Sequence, residues 1–305
     1  MRPAIPRSRV LFVIAALALL GACARMPDVG RTQLKLATPA DLQGYLLAHP
    51  ADVDLFRLRG PFTVTVDEDF ELRLSPTESV EADLYLAAPA QKAPLVILLH
   101  GNESSKDLHA FQALHLASWG INCLAVDLPN TGPWIENGKT LARIVHVIHA
   151  RPELVDKRVN ASRIILAGHS FGGAAVAVAL AEGAPAAGGI LLDPAVDAAG
   201  MPGYLKRIAA PVMVLGADRA VSEARHRDYF YQFIRSGIAE ISIRDAAHED
   251  AQYPAEPGYG TEEQQITFAA ALTASAFSLA ATGSFDYAWA SFGADHARFL
   301  GAHRK

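Results

Sequence analysis

The run Arg163-Ile164-Ile165-Leu166-Ala167-Gly168-His169-Ser170-Phe171-Gly172-Gly173 constrains this chain more than any other stretch. An apolar segment with strand character breaks into a tight turn, and the small residues from Ala174 to Ala181 continue as a helix. A serine sits at the apex, with glycine two positions to either side. Such a turn forces the serine into a strained backbone conformation, and the glycines let neighbouring chain approach without a side-chain clash. The unit therefore reads as strand, turn, helix, with the Ser170 hydroxyl presented at a sheet edge over a helix N-terminus.

The rest of the pattern extends that unit. Leu95-Val96-Ile97-Leu98-Leu99 is continuously apolar, as expected of a strand buried on both faces. Before it, residues 62–66, 70–74 and 80–86 alternate and predict three antiparallel strands, after a short helix over 41–49. After it, helices are predicted over 108–119, 140–150 and 222–236, and strands over 121–126, 163–167, 189–192, 212–215 and 240–243. Two helices over 262–281 and 285–299 close the chain. This is an α/β architecture, a mostly parallel central sheet flanked by helices on both faces. With the serine turn on a central strand, it resembles the α/β-hydrolase fold from residue 62 to the end. Residues 38–305 are expected to form one domain, with 129–138 and 200–204 placed to overhang the site.

The first residues have another character. Arg2, Arg7 and Arg9 precede an apolar run from Val10 to Leu20, which ends in Gly21-Ala22-Cys23. That run is short for a membrane span and has the layout of a secretory signal. Its end resembles the bacterial lipobox. The resemblance implies a signal peptide over 1–22, acylation of Cys23, a tether over 23–37 and an envelope lipoprotein; Ala24 after the cysteine favours the outer membrane. Loss of residues 1–22 removes three arginines and no acid, moving net charge from −5 to −8. Attachment would then come from acyl chains rather than from charge, and the acidic balance gives no nucleic-acid face. The other cysteine, Cys123, lies in a strand pattern and reads as a core thiol.

A serine hydroxyl needs a base, and the base needs an orienting acid. In the α/β-hydrolase order of serine, acid, histidine, His248 falls in the loop after the strand over 240–243. Two acids fit. Asp193 ends a strand in Leu192-Asp193-Pro194, resembling chlorophyllases and platelet-activating-factor acetylhydrolases; Asp218 follows the next strand, where most α/β-hydrolases hold their acid. Asp193 is the first choice and Asp218 the alternative. Asp197 is a more distant option, and either carboxylate could simply cap a turn. The Phe171 backbone N–H and the Asn102 N–H, in His100-Gly101-Asn102-Glu103, are the expected oxyanion donors. His100 and His169 read as structural supports, and Trp134, in a Pro/Gly-rich loop, as a candidate pocket wall.

These residues imply a cofactor-independent and metal-independent serine esterase, cleaving small-molecule, lipid or polyester esters through an acyl-enzyme. Dienelactone hydrolases and cutinase-like polyester hydrolases share the same motifs. Because the base must be neutral, activity should rise with pH through roughly 6 to 7. An acyltransferase with the same acyl-enzyme, or a non-catalytic envelope protein on this scaffold, are the alternatives.

Overall fold

Along each central strand, alternate residues face opposite sides and build two separate cores. Leu95, Ile97 and Leu99 join Ile164 and Leu166 on one side, while Val96 and Leu98 join Ile165 and Ala167 on the other. The computed structural model describes residues 39–48, 53–88, 92–128, 134–196, 200–219, 225–235, 237–252 and 261–305. Signal peptide, Cys23 and tether lie outside the described residues, as do Asp197 and residues 129–133 of the first overhanging segment.

The elements in chain order begin with helices α1 (Pro39–Ala48) and α2 (Val53–Phe56), then strands β1 (Thr63–Ser75), β2 (Glu78–Ala88) and β3 (Ala93–Leu99). A 3-10 turn (Lys106–His109) leads into α3 (Ala110–Ser118), β4 (Asn122–Val126), α4 (Trp134–Ala150), β5 (Val159–His169) and α5 (Phe171–Ala181). Next come β6 (Gly188–Leu192), α6 (Met201–Leu205), β7 (Val212–Ala217), α7 (Arg225–Phe233) and β8 (Ile238–Ile243). A second 3-10 turn (His248–Ala251), α8 (Glu262–Thr282), α9 (Asp286–Ala294) and β9 (Phe299–Arg304) complete the chain.

Among the described residues these strands form one nine-stranded sheet in the order β1-β2-β4-β3-β5-β6-β7-β8-β9. The block from β4 to β8 is parallel, and β1, β2 and β9 join it antiparallel at the two ends. Helices α4 to α7 cover one face and α1, α2, α3, α8 and α9 the other. Each fully buried Leu, Ile or Val contributes roughly 2 kcal/mol by leaving water, so neither face can be uncovered without losing the sheet. Helix α8 is long and apolar enough to cross a membrane, yet most of it is buried against the sheet. Its ends are fixed by the Thr261 hydroxyl, which accepts the Gln264 N–H, and by Gly283 at φ 75.

Three expectations need correction. The strands predicted over 62–66 and 70–74 are one strand, β1, continuous through an irregularity between Asp67 and Phe70. Asp69 adopts φ 58 there, and the Asp83 carboxylate accepts its N–H at 3.0 Å. Helix α4 begins at Trp134 rather than at 140, so Trp134 is a buried helical residue and not part of a loop. The last helix stops at Ala294, and Phe299–Arg304 pairs with β8 as an edge strand.

Candidate active site

Chain direction reverses at β3. From β3 the chain moves outward to β4, then returns across β3 to β5 on its other side. The loops leaving β3 and β5 therefore diverge, which opens a crevice at the carboxyl ends of the strands. Leu99 stands opposite Gly168 there, so His100-Gly101 and His169-Ser170 emerge side by side.

Ser170 sits at the turn between β5 and α5 with φ 53 and ψ −127, a conformation that L-residues rarely hold. The flanking glycines are required by space. A Cβ on Gly168 would lie 2.5 Å from the Gly172 backbone, and one on Gly172 would lie 2.3 Å from the His100 carbonyl oxygen. The turn is tied down by its own backbone: Ser170 N–H donates to Leu192 O, and Ser170 O accepts from Gly173 and Ala195 N–H, each at 3.0 Å. Phe171 opens α5, where the first N–H groups have no partner within a helix.

Asp193 leaves β6, the neighbour of β5, at φ 38. One carboxylate oxygen, Oδ1, accepts the Ala217 N–H at 2.8 Å, and the other, Oδ2, lies 2.6 Å from His248 Nδ1. A carboxylate oxygen accepts, so Nδ1 donates, and in the neutral ring Nε2 is the nitrogen that carries the lone pair. His248 opens the 3-10 turn beyond β8, and Asp250 closes it: the buried Asp250 carboxylate accepts the Ala247 and Thr261 N–H groups, each at 2.8 Å. Burial pushes the Asp250 carboxyl above its ordinary value, partly offset by those two bonds. Asp218 has another role, accepting the Asp245 N–H at 3.3 Å within the turn after β8. The structure thus brings Asp193, rather than Asp218, to His248.

Residues 96–302 match the alpha/beta hydrolase family. The chain belongs to that family. A search of curated proteins returned no match. Family membership fixes the scaffold, and the chemistry has to be read from the side chains of the site.

In this alpha/beta hydrolase chain the turn after β3 packs directly on the serine. A Cβ on Gly101 would stand 2.9 Å from Ser170 Cβ. His100 is buried beneath the turn, its Nδ1 donating to the Gly101 carbonyl at 2.7 Å. Asn102 and Glu103 are exposed, and Glu103 takes φ 53. Of the five non-glycine residues with positive φ among the described residues, Glu103, Ser170 and Asp193 all border this crevice. Trp134 lies under Phe171, the rings stacked with centroids 5.8 Å apart, and meets the His100 ring edge-on at 6.2 Å. Phe171 is half-buried.

Sequence reasoning overlooked the brace behind this turn. Lys106 is buried, and its ammonium lies 2.9 Å from the buried Asp83 carboxylate, with the exposed Asp69, Glu81 and Asp107 farther out. Burial alone would push the ammonium down, but the bond to Asp83 reverses that and holds it above its ordinary value. The Lys106 backbone N–H also donates to Asp127 at 2.7 Å. Lys106→Met should destabilise the protein by about 3 kcal/mol, because it strands a buried carboxylate. Urea denaturation checks this, and a loss below about 1 kcal/mol would place the pair with weak surface bridges.

Proposed function

We propose that the chain is a serine esterase, hydrolysing carboxylic esters through Ser170, His248 and Asp193. The observation that carries this reading is the 2.6 Å bond between His248 Nδ1 and Asp193 Oδ2, set beside a strained serine at the switch point of the sheet. His248 Nε2 takes the Ser170 Oγ proton as Oγ bonds to the ester carbonyl carbon. The negative charge gathers on the carbonyl oxygen, between the N–H groups of Phe171 and Asn102. Collapse breaks the carbon–alkoxy bond, and Nε2 returns the proton to the departing alcohol. Water then attacks the acyl-enzyme with His248 again as base, freeing the acid and Ser170. Every step uses side chains and backbone of this chain. Export and anchoring through an acylated Cys23 belong to the same proposal and would place the enzyme at a membrane surface.

A fluorophosphonate probe tests it, since the probe reacts only with an activated serine. The wild-type protein should label stoichiometrically and Ser170→Ala not at all, with both equally folded by circular dichroism. A folded wild type that stays unlabelled would refute the esterase reading. Where labelling succeeds, esters of increasing acyl length then define the substrate. For the anchor, a Cys23→Ala variant expressed in a bacterium should leave the membrane fraction.

A further inference from the structure

His169, immediately before Ser170, is buried, and its ring nitrogen Nε2 lies 3.1 Å from the His248 carbonyl oxygen. The two imidazole centroids are 4.5 Å apart. A carbonyl only accepts, so Nε2 carries the proton and Nδ1 presents a lone pair. Nδ1 is buried without a hydrogen-bond partner and stands 3.3 Å from where a Gly101 Cβ would lie. One side chain therefore touches the turn that carries the base and the turn expected to hold the oxyanion, from a strand position rigidly joined to the nucleophile. His109 closes the far side, its ring 5.9 Å from that of His169.

We propose that His169 is a positioning residue, fixing the His248 backbone relative to Ser170 and the oxyanion turn; this rests on the esterase reading above. The turn of His248 is also tied to neighbouring elements: His248 bonds to Asp193, the Gln112 amide donates to the Ala251 carbonyl, and the Asp250 carboxylate accepts the Thr261 N–H. None of those three bonds ends on β5, the strand that leads into the serine. The His169 bond joins the turn to β5 itself. The position suits the charge as well. During turnover His248 becomes an imidazolium next to the His169 ring, and a second cation there would oppose it. Burial, reinforced by the neighbouring His248 and His109, holds His169 well below the usual histidine range, so it stays neutral. A positional error of about 1 Å at a reacting group lowers rates on the order of 100-fold.

The test compares His169→Leu and His169→Gln with wild type on a p-nitrophenyl ester, after fluorophosphonate labelling of each. Leucine fills the site but leaves the His248 carbonyl without its donor, so stability should fall by about 1 kcal/mol with the fold retained, which circular dichroism checks. The kcat of the leucine variant should drop roughly 10- to 100-fold with KM almost unchanged. Glutamine places an amide N–H near the former Nε2 and should restore kcat to within severalfold of wild type. A purely structural residue would produce neither the kcat-only loss nor the rescue. A leucine variant turning over at the wild-type rate, or leucine and glutamine variants equally impaired, would overturn the proposal while leaving the labelled esterase intact. An unlabelled wild type would instead overturn the esterase reading and this proposal with it.

Discussion

Asp193→Asn should lower kcat by about 10⁴-fold, and Asp218→Asn should leave it near wild type. The difference follows from how each carboxylate is held. Asp193 Oδ1 accepts the Ala217 N–H, so an asparagine at this position keeps its oxygen there and turns its NH₂ group toward His248 Nδ1. That amide donates, Nδ1 must accept, and the imidazole proton moves to Nε2, where it blocks the serine proton. The geometry survives and the tautomer is wrong. At Asp218 the amide oxygen of asparagine can still accept the Asp245 N–H, so the turn is preserved and the base is untouched. Steady-state kinetics on one ester, with circular dichroism for folding, decides between them. A large loss at Asp218 and a small one at Asp193 would reverse the assignment.

The sequence left these two acids open for a physical reason. Both end parallel strands, Asp193 on β6 and Asp218 on β7, and adjacent strands lie only about 4.8 Å apart. Which one a histidine reaches depends on how far the turn after β8 leans back across the sheet. That lean is set by tertiary contacts, among them the His169 bond to the His248 carbonyl, and local pattern does not encode it. By contrast, Ser170 was legible because the constraint is local: glycines at 168 and 172 are demanded by backbone approaches within and beside the turn. The parallel strands were legible because burial on both faces leaves an uninterrupted apolar run, as in Leu95 to Leu99.

Features whose partners are distant in sequence stayed hidden. Lys106 reads as an ordinary surface lysine until β2 brings Asp83 beside it. Strand β9 has one buried residue, Phe299, and therefore too little alternation to separate it from a helix tail. The start of β1 is mostly exposed, so its apolar pattern broke at Asp67 although pairing with β2 resumes at Phe70. The beginning of α4 was missed because Trp134 follows a Pro/Gly-rich stretch, and what recruits it is the stacking partner Phe171 across the site.

Acid should unfold this protein steeply below pH 6.5, because His109, His115 and His169 are buried as neutral rings. Burial lowers His109 to about 3 and His115 to about 4, and holds His169 well below the ordinary value of 6.5. In the unfolded chain all three would bind protons near pH 6.5. Between that value and their folded values the unfolded state holds more protons, so stability is complete above pH 6.5 and falls as pH drops. Three such groups give a slope approaching about 4 kcal/mol per pH unit, or about 6 kcal/mol lost by pH 5. That is comparable with the roughly 5–15 kcal/mol that holds a domain of ordinary stability together, so the midpoint should fall at pH 4 to 5. His115 is anchored through Nε2 to the Phe56 carbonyl, whereas neither nitrogen of His109 reaches good hydrogen-bond geometry and only the Gln112 side chain favours its charged form. His109→Leu is therefore the variant that removes a titrating ring at the smallest cost in hydrogen bonds. It should flatten the slope by about one third, near 1.4 kcal/mol per pH unit. Urea denaturation at pH 7, 6 and 5 measures both slopes. Stability unchanged across that range would mean that water reaches these rings and protonates them within the fold.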